Sequence, residues 1–342
     1  MKIADNSPMG EKLSFAYTKT NTIICSHYKD GVWGPIESRR DDNITISALS
    51  GSLHYGIQAF EGLKAYRGSD GSIRIFRPWE NGARLKRSAD FLGIASPDID
   101  MFIEACKRVV IENEEFLPSY ESRGTLYIRP FVIGVSPQID LVSSTEVLFI
   151  VAAMPVGSFA GSINKPVKVL LARDHDRAAP LGTGSYKIGG NYAASLVAGM
   201  KAKQEGYASL LYLDSATKSS VDEFSSANFF AIKGNSYITP ESDSILPSIT
   251  NKSLMQLASD LGLTIEKRVV KESELSTFDE MGACGTAIVI MSVSEICDPL
   301  NNIVYKSLCG SNIAPLSMKL YKRLTGIQFG EESDIYNWSL VI

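Results

Sequence analysis

Nowhere does the 342-residue chain carry an unbroken apolar run long enough to cross a bilayer. The longest apolar stretch, VLFIVAAMPVG at 147–157, is interrupted by Pro155 and falls far short of the ~20 residues of a membrane helix, so none is expected. Positive charge is not in excess either: 34 Lys and Arg stand against 38 Asp and Glu, a net charge of −4. With no basic tract, nucleic acid is not an expected partner. Cysteine is scarce and dispersed. Cys25, Cys106, Cys284, Cys297 and Cys309 form no CxxC pair, which speaks against a disulfide framework or a structural zinc and for a reducing compartment. The histidines, His27, His54 and His175, are equally scattered, and no metal site is expected. The opening residues lack a basic segment followed by an apolar one, so the expectation is a cytoplasmic protein without a secretory leader.

What is present is an ordinary globular composition, 44% hydrophobic and 21% charged. At about 150 residues per domain two domains are expected, and a chain of this length can bury about three quarters of its surface. In the first half, LKAYRG and SIRIFRP alternate around SDG as a hairpin. PWENGARLKRSADFLGI, with a stop at Gly93, and DIDMFIEACKRVVIENEEFL carry helical periodicity. TLYIRPFVIGV and EVLFIVAAMPV read as strands, and the small, polar GSFAGSIN at 157–164 reads as an interdomain loop. In the second half, KPVKVLLAR and YASLLYLD read as buried strands flanking one helix, NYAASLVAGMKAKQEG. ANFFAI and SYITP form a hairpin around Lys233-Gly234-Asn235, SITNKSLMQLASDLGL is a helix ending at Gly262, and TIEKRVV and GTAIVIM are strands. A mixed α/β protein follows, with a small domain over 1–156, a loop over 157–164 and a larger domain over 165–342.

The densest chemical signal is GTGSYKIGGNY, Gly182 to Tyr192, where Lys187 sits among four glycines and two tyrosines. It matches neither phosphate loop: Lys187 follows Tyr186 and precedes Ile188, and it stands where a dinucleotide motif needs glycine. Either Lys187 is a surface lysine in a flexible loop, or it is held for reaction, in which case burial would depress its pKa. Glu223, in SSVDEFSSANFF, precedes an apolar strand and would need a cationic partner if buried; Asp222 beside it is equally eligible for the exposed position. In LPSIT, Ser248 or Thr250 can cap a helix whose free amides hold an anion. CGTAI offers Gly285, Thr286 and Ala287 either as a turn with free amides or as plain strand entry. Arg84, on the first helix, and Arg129, near Tyr127 in LYIRP, are the remaining cations of interest.

Taken together and in order, LHYGIQAFEGLKAYRG, IRIFRPWENGARLKRS, LYIRP, RAAPLGTGSYKIGGNYAASL, DEFSSANFF, LPSIT and GTA, spread over about residues 53 to 290, resemble the branched-chain amino acid aminotransferases, pyridoxal-phosphate enzymes of fold type IV. The resemblance implies pyridoxal 5′-phosphate as cofactor and Lys187 as its Schiff-base lysine. Tyr192 would bond the phenolic oxygen and Glu223 the pyridinium nitrogen, while Arg84, Ile249, Thr250 and Thr286 would cup the phosphate. Tyr55, Phe60, Tyr127, Arg129, Phe159, Thr286 and Ala287 would line the substrate pocket. It further implies a homodimer that exchanges amino groups between branched-chain L-amino acids and 2-oxoglutarate. Alternatives within fold type IV are a D-amino acid or amine transaminase and an aminodeoxychorismate lyase; outside catalysis, a pyridoxal-phosphate carrier. Phe159 stands where several relatives have tyrosine, Ser226 replaces a threonine, and IVIM after GTA lacks a redox CxxC pair.

Overall fold

The computed structural model describes residues 16–157, 163–309 and 314–342. It parts into two compact units, one running to Ser158 and resuming from Gly326 to Ile342, the other comprising 159–325. The final segment therefore joins the first unit, whereas the sequence assigned it to the second. Its reason is a strand: Ser339–Val341 pairs antiparallel with Ile73–Phe76, and the Arg77 guanidinium lies 5.0 Å from the Trp338 ring centroid.

The first unit is built on an antiparallel sheet. Leu63–Arg67 and Ile73–Phe76 form the expected hairpin, Arg67 opposite Ile73, with Gly71 at φ +82° in the turn. Thr125–Gly134 and Val147–Val156 pair along their whole length, which sets Tyr127 and Arg129 on the same face of one strand. The helix Pro78–Phe91 begins with proline in its first turn, buries Leu85 and Ala89, and stops before Gly93 at φ +67°. The helix Ile99–Glu112 is capped by Asp98, whose side chain accepts the Met101 amide at 2.8 Å. Its buried stripe of Phe102, Ala105, Cys106, Val109 and Val110 is the apolar face read from its periodicity.

In the second unit the strands Val221–Phe224, Ser209–Leu213, Val167–Ala172, Val289–Cys297, Glu280–Gly285 and Asn228–Lys233 pair in that order, and Glu223 opposite Asn228 closes the ring. Val169, Leu171, Leu211, Phe224, Phe229 and Ala283 are among its buried core. Val167–Ala172 and Ser209–Leu213 run parallel, so a helical crossover must join them. That crossover was expected as one helix; it is two, Gly189–Ala193 and Leu196–Gln204. The break has a local cause: the Ser195 hydroxyl donates back to the Asn191 carbonyl at 3.3 Å, and the Asn191 amide donates to the carbonyls of Thr183 and Tyr186, tying the first piece to the loop before it. GTAIVIM is likewise not one strand. Glu280–Gly285 ends at a turn over 286–288 and Val289 opens the next strand at φ +58°. A left-handed residue after a three-residue hairpin loop is a familiar geometry, yet a β-branched residue adopts it only where its surroundings impose it.

Candidate active site

The loop carrying Lys187 is anchored from both sides. Behind it, Gly184 lies so close to Ser244 that a Cβ there would overlap the Ser244 carbonyl, which is why this position has no side chain. Ahead of it, the short helix Gly189–Ala193 brings Tyr192 back one turn. Lys187 Nζ donates to the Tyr192 hydroxyl at 2.8 Å and lies 5.2 Å from the ring centroid. The lysine is only partly buried, so it is a held amine at a surface rather than the deeply buried one the sequence allowed.

Glu223 is 4% exposed and Asp222 3%, so the expectation that one of the two faces solvent fails. Both belong to the ring-closing strand Val221–Phe224, which is buried on both faces. Arg177 Nη2 lies 2.9 Å from Glu223 Oε1, and the Leu246 amide donates to the same oxygen at 3.2 Å. Burial pushes the Glu223 carboxyl up to about 7, against the pull of Arg177, the Leu246 amide and Lys187. Arg177 also donates to the Gly184 carbonyl at 2.9 Å, three residues before Lys187, which ties the carboxyl to the lysine loop.

Leu246 stands three residues before the helix Ile249–Asp260, so the bond it gives Glu223 also locates that helix's start. Ser248, not Thr250, is the cap: its hydroxyl accepts the Asn251 amide at 3.1 Å. Ile249 and Thr250 occupy the first turn, both buried, where unpaired amides favour an anion. Underneath, Tyr237 donates to Asn251 at 2.7 Å and Asn251 to Thr239 at 2.9 Å, fixing the helix to the sheet. Thr286 and Ala287 lie in the turn over 286–288, partly exposed, and Gly285 packs beside Ser226 and Ala227. The turn reading of CGTAI is therefore the right one. Cys284, buried below, has its thiol pushed far up by burial and by the nearby Glu223, which leaves it chemically inert.

The first unit gathers a second group. The Arg129 guanidinium lies 4.9 Å from the Phe60 ring centroid and 5.2 Å from that of Tyr127, and its Nη2 donates to the Tyr127 hydroxyl at 3.1 Å. Gly62 makes room for that hydroxyl, since a Cβ there would overlap it. Lys64, opposite Tyr127 in the sheet, is buried and its amine is pushed down to about 7 by desolvation; sequence reading missed it, although its place in the LKAYR strand two residues after Gly62 was a usable signal. Arg84 proves to be part of an ion pair. Its Nε and Nη2 lie 2.7 and 2.8 Å from the two oxygens of the fully buried Glu61, which Asn81 also holds at 2.8 Å. Tyr55 keeps other company: it is 44% exposed, its hydroxyl donates to the Ile139 carbonyl, and its ring centroid lies 4.2 Å from that of His54. Phe159 lies outside the described residues. Among the described residues, no group of His, Cys, Asp and Glu could hold a metal and no helix is long and apolar enough to cross a membrane.

A lysine amine bonded to a phenol, a buried carboxylate tied through Arg177 to the same loop and a buried helix start lie together within the second unit. Known proteins resemble the chain in sequence and shape. Residues 58–296 match the profile of the amino-transferase class IV family. A branched-chain-amino-acid aminotransferase of Haemophilus influenzae is 43% identical over 95% of this chain and 96% of its own. One from Helicobacter pylori is 42% identical, with 96% of each chain covered. In structure, the branched-chain amino acid aminotransferase of Escherichia coli superposes with a TM-score of 0.77 at 26% identity, covering 94% of this chain and 99% of that one. The chain belongs to the class IV aminotransferases.

Proposed function

We propose that this protein is a branched-chain-amino-acid transaminase using pyridoxal 5′-phosphate, moving the amino group of L-leucine, L-isoleucine or L-valine to 2-oxoglutarate. The observation that carries the reading is the placement, inside one unit, of the Lys187 amine held by Tyr192 and the buried Glu223 carboxyl held by Arg177, which also bonds the Gly184 carbonyl of the lysine loop. The residues fit the cofactor: Lys187 for the aldehyde carbon, Tyr192 for the phenolic oxygen, Glu223 for the ring nitrogen. The first turn at Ile249 and Thr250, with Thr286 in the turn over 286–288 of the same unit, suits the phosphate. When bound, the cofactor supplies an electron sink for the substrate's α-carbon.

The rest of the chemistry falls to side chains. With the cofactor bound, Glu223 as an anion would keep its ring nitrogen protonated. In that state the Lys187 amine would serve as the general base for the substrate's α-proton and as the general acid that gives it back. Tyr192 keeps the amine on line. Phe60 and Tyr127, beside Arg129, offer an apolar setting for branched side chains, where one methylene is worth only about 1 to 3 kcal/mol, so the three substrates overlap. Arg129, steadied by Tyr127, gives the second carboxylate of glutamate a cation.

We read the protein as a cytoplasmic homodimer. Supporting assembly, Leu49, Leu53, Tyr55, Ile139, Leu141 and Val142 are all exposed, and the Tyr55 bond to Ile139 joins the two segments that bear them; an apolar patch of this kind marks an interface. The free thiols agree with a reducing compartment.

The test is a comparison of half-reactions. The wild type is expected to convert L-leucine and L-glutamate, and not D-alanine. Arg129→Leu should raise the KM for glutamate about 10- to 100-fold, the worth of a charge-assisted hydrogen bond, and that for leucine less than threefold. Equal effects on both would remove Arg129 from glutamate recognition, and turnover of D-alanine in place of L-leucine would overturn the branched-chain reading.

A further inference from the structure

Arg177, in the DHDRAAP segment, was not singled out by its sequence. It is 8% exposed and reaches three pieces of chain at once. Its Nη2 lies 2.9 Å from Glu223 Oε1, donates to the Gly184 carbonyl at 2.9 Å, and donates to the Ser244 carbonyl. Gly184 is three residues before Lys187, and Ser244 is two residues before Leu246, whose amide binds Glu223. One guanidinium thus joins the lysine loop, the approach to the Ile249 helix and the ring-facing carboxylate. The approach is close because Gly184 has no Cβ to separate its backbone from Ser244.

We infer that Arg177 is a positioning residue for transamination: it keeps Glu223 ionised and in register with Lys187. The inference rests on the aminotransferase reading above. A carboxyl buried as deeply as Glu223 takes up a proton unless a cation holds it charged, and a neutral carboxyl cannot keep a ring nitrogen protonated. The charged or titratable groups acting on Glu223 are Arg177, Asp222, Lys187 and the Cys284 thiol. Arg177 and Lys187 favour its anion, whereas Asp222 opposes it. Asp222 is itself buried, with Oδ1 lacking a hydrogen-bond partner among the described residues, and feels Arg177, Asp214 and Ser242. Of the two neighbouring buried acids, only Glu223 is in contact with the guanidinium.

The signs follow. Removing Arg177 makes the Glu223 anion available only at higher pH, and removing the Asp222 charge makes it available at lower pH. The experiment measures, from pH 5.5 to 9, the rate of the L-leucine half-reaction and the affinity of the apoenzyme for pyridoxal 5′-phosphate, for wild type, Arg177→Met, Arg177→Lys and Asp222→Asn. Arg177→Met should move the acid limb of the rate upward by about one pH unit or more and weaken cofactor binding more at pH 6 than at pH 8.5. Arg177→Lys should restore most of the limb, and Asp222→Asn should move it down. A uniform loss of rate with the limb unmoved would make Arg177 merely structural and overturn the inference. If Arg177→Met does not fold, an unshifted or raised limb in Asp222→Asn overturns it equally. A wild type that binds the cofactor but transfers no amino group defeats the functional reading instead, and so is distinguished.

Discussion

Replacing Lys187 by alanine should lower L-leucine transamination by about a thousandfold or more, within what a positioned proton-transfer group supplies. Two roles are lost together: the amine that attaches the cofactor and the base that moves the α-proton. No other lysine replaces it, because the position depends on its surroundings. Gly184 permits the close approach to Ser244, Asn191 ties the following helix to Thr183 and Tyr186, and Tyr192 receives the Nζ proton at 2.8 Å. Because Lys187 is only partly buried, the variant should fold and melt within about 1 kcal/mol of wild type, as substitutions outside the core usually do. Single-turnover rates on purified wild type and variant decide; near-normal turnover by Lys187→Ala would remove the lysine from the chemistry.

The second large effect is expected at Glu223. Glu223→Gln keeps the shape and loses the charge, and should cut the L-leucine rate on the order of 100-fold or more, the usual cost of removing one preorganised electrostatic group. Asp222→Asn should cost less than tenfold, since it is Glu223, not Asp222, that the Leu246 amide holds. Stability of the cofactor-free chain gives an independent reading. A carboxyl whose pKa rises on folding, here from 4.5 to about 7, contributes stability that is present below the unfolded value and is lost as pH rises through the folded one. The melting temperature of the apoenzyme should therefore fall between about pH 5 and 8 in wild type and fall less in Glu223→Gln. Equal catalytic losses at positions 222 and 223, or an unchanged melting profile, would contradict the assignment.

Much of this was legible in the sequence where short-range chemistry decides. The SDG hairpin, the Gly93 and Gly262 stops and the buried stripe of the Ile99 helix all follow from local rules. The site segments were legible as motifs, but their partners were not. Glu61 holding Arg84, and Arg177 holding Glu223, are 23 and 46 positions apart in sequence and meet only through the fold. The exposure of Asp222 was misjudged because strand alternation assumes one wet face, and Val221–Phe224 has none. The broken crossover helix was missed for a similar reason, since side-chain bonds from Asn191 override local propensity, and of the two readings of CGTAI the turn holds because Gly285 pairs with Val289 across it. The final strand escaped because three residues, Ser339–Val341, gain their meaning only beside Ile73–Phe76.

The identity of the attached lysine is the most direct test. The protein loaded with pyridoxal 5′-phosphate is reduced with borohydride, digested and mapped by mass spectrometry. The cofactor should be fixed to the peptide bearing Lys187 alone, and prior addition of L-leucine should prevent the labelling by converting the cofactor to its amine form. Attachment at another lysine, or labelling of Lys187 that leucine leaves untouched, would contradict the catalytic role of the amine beside Tyr192.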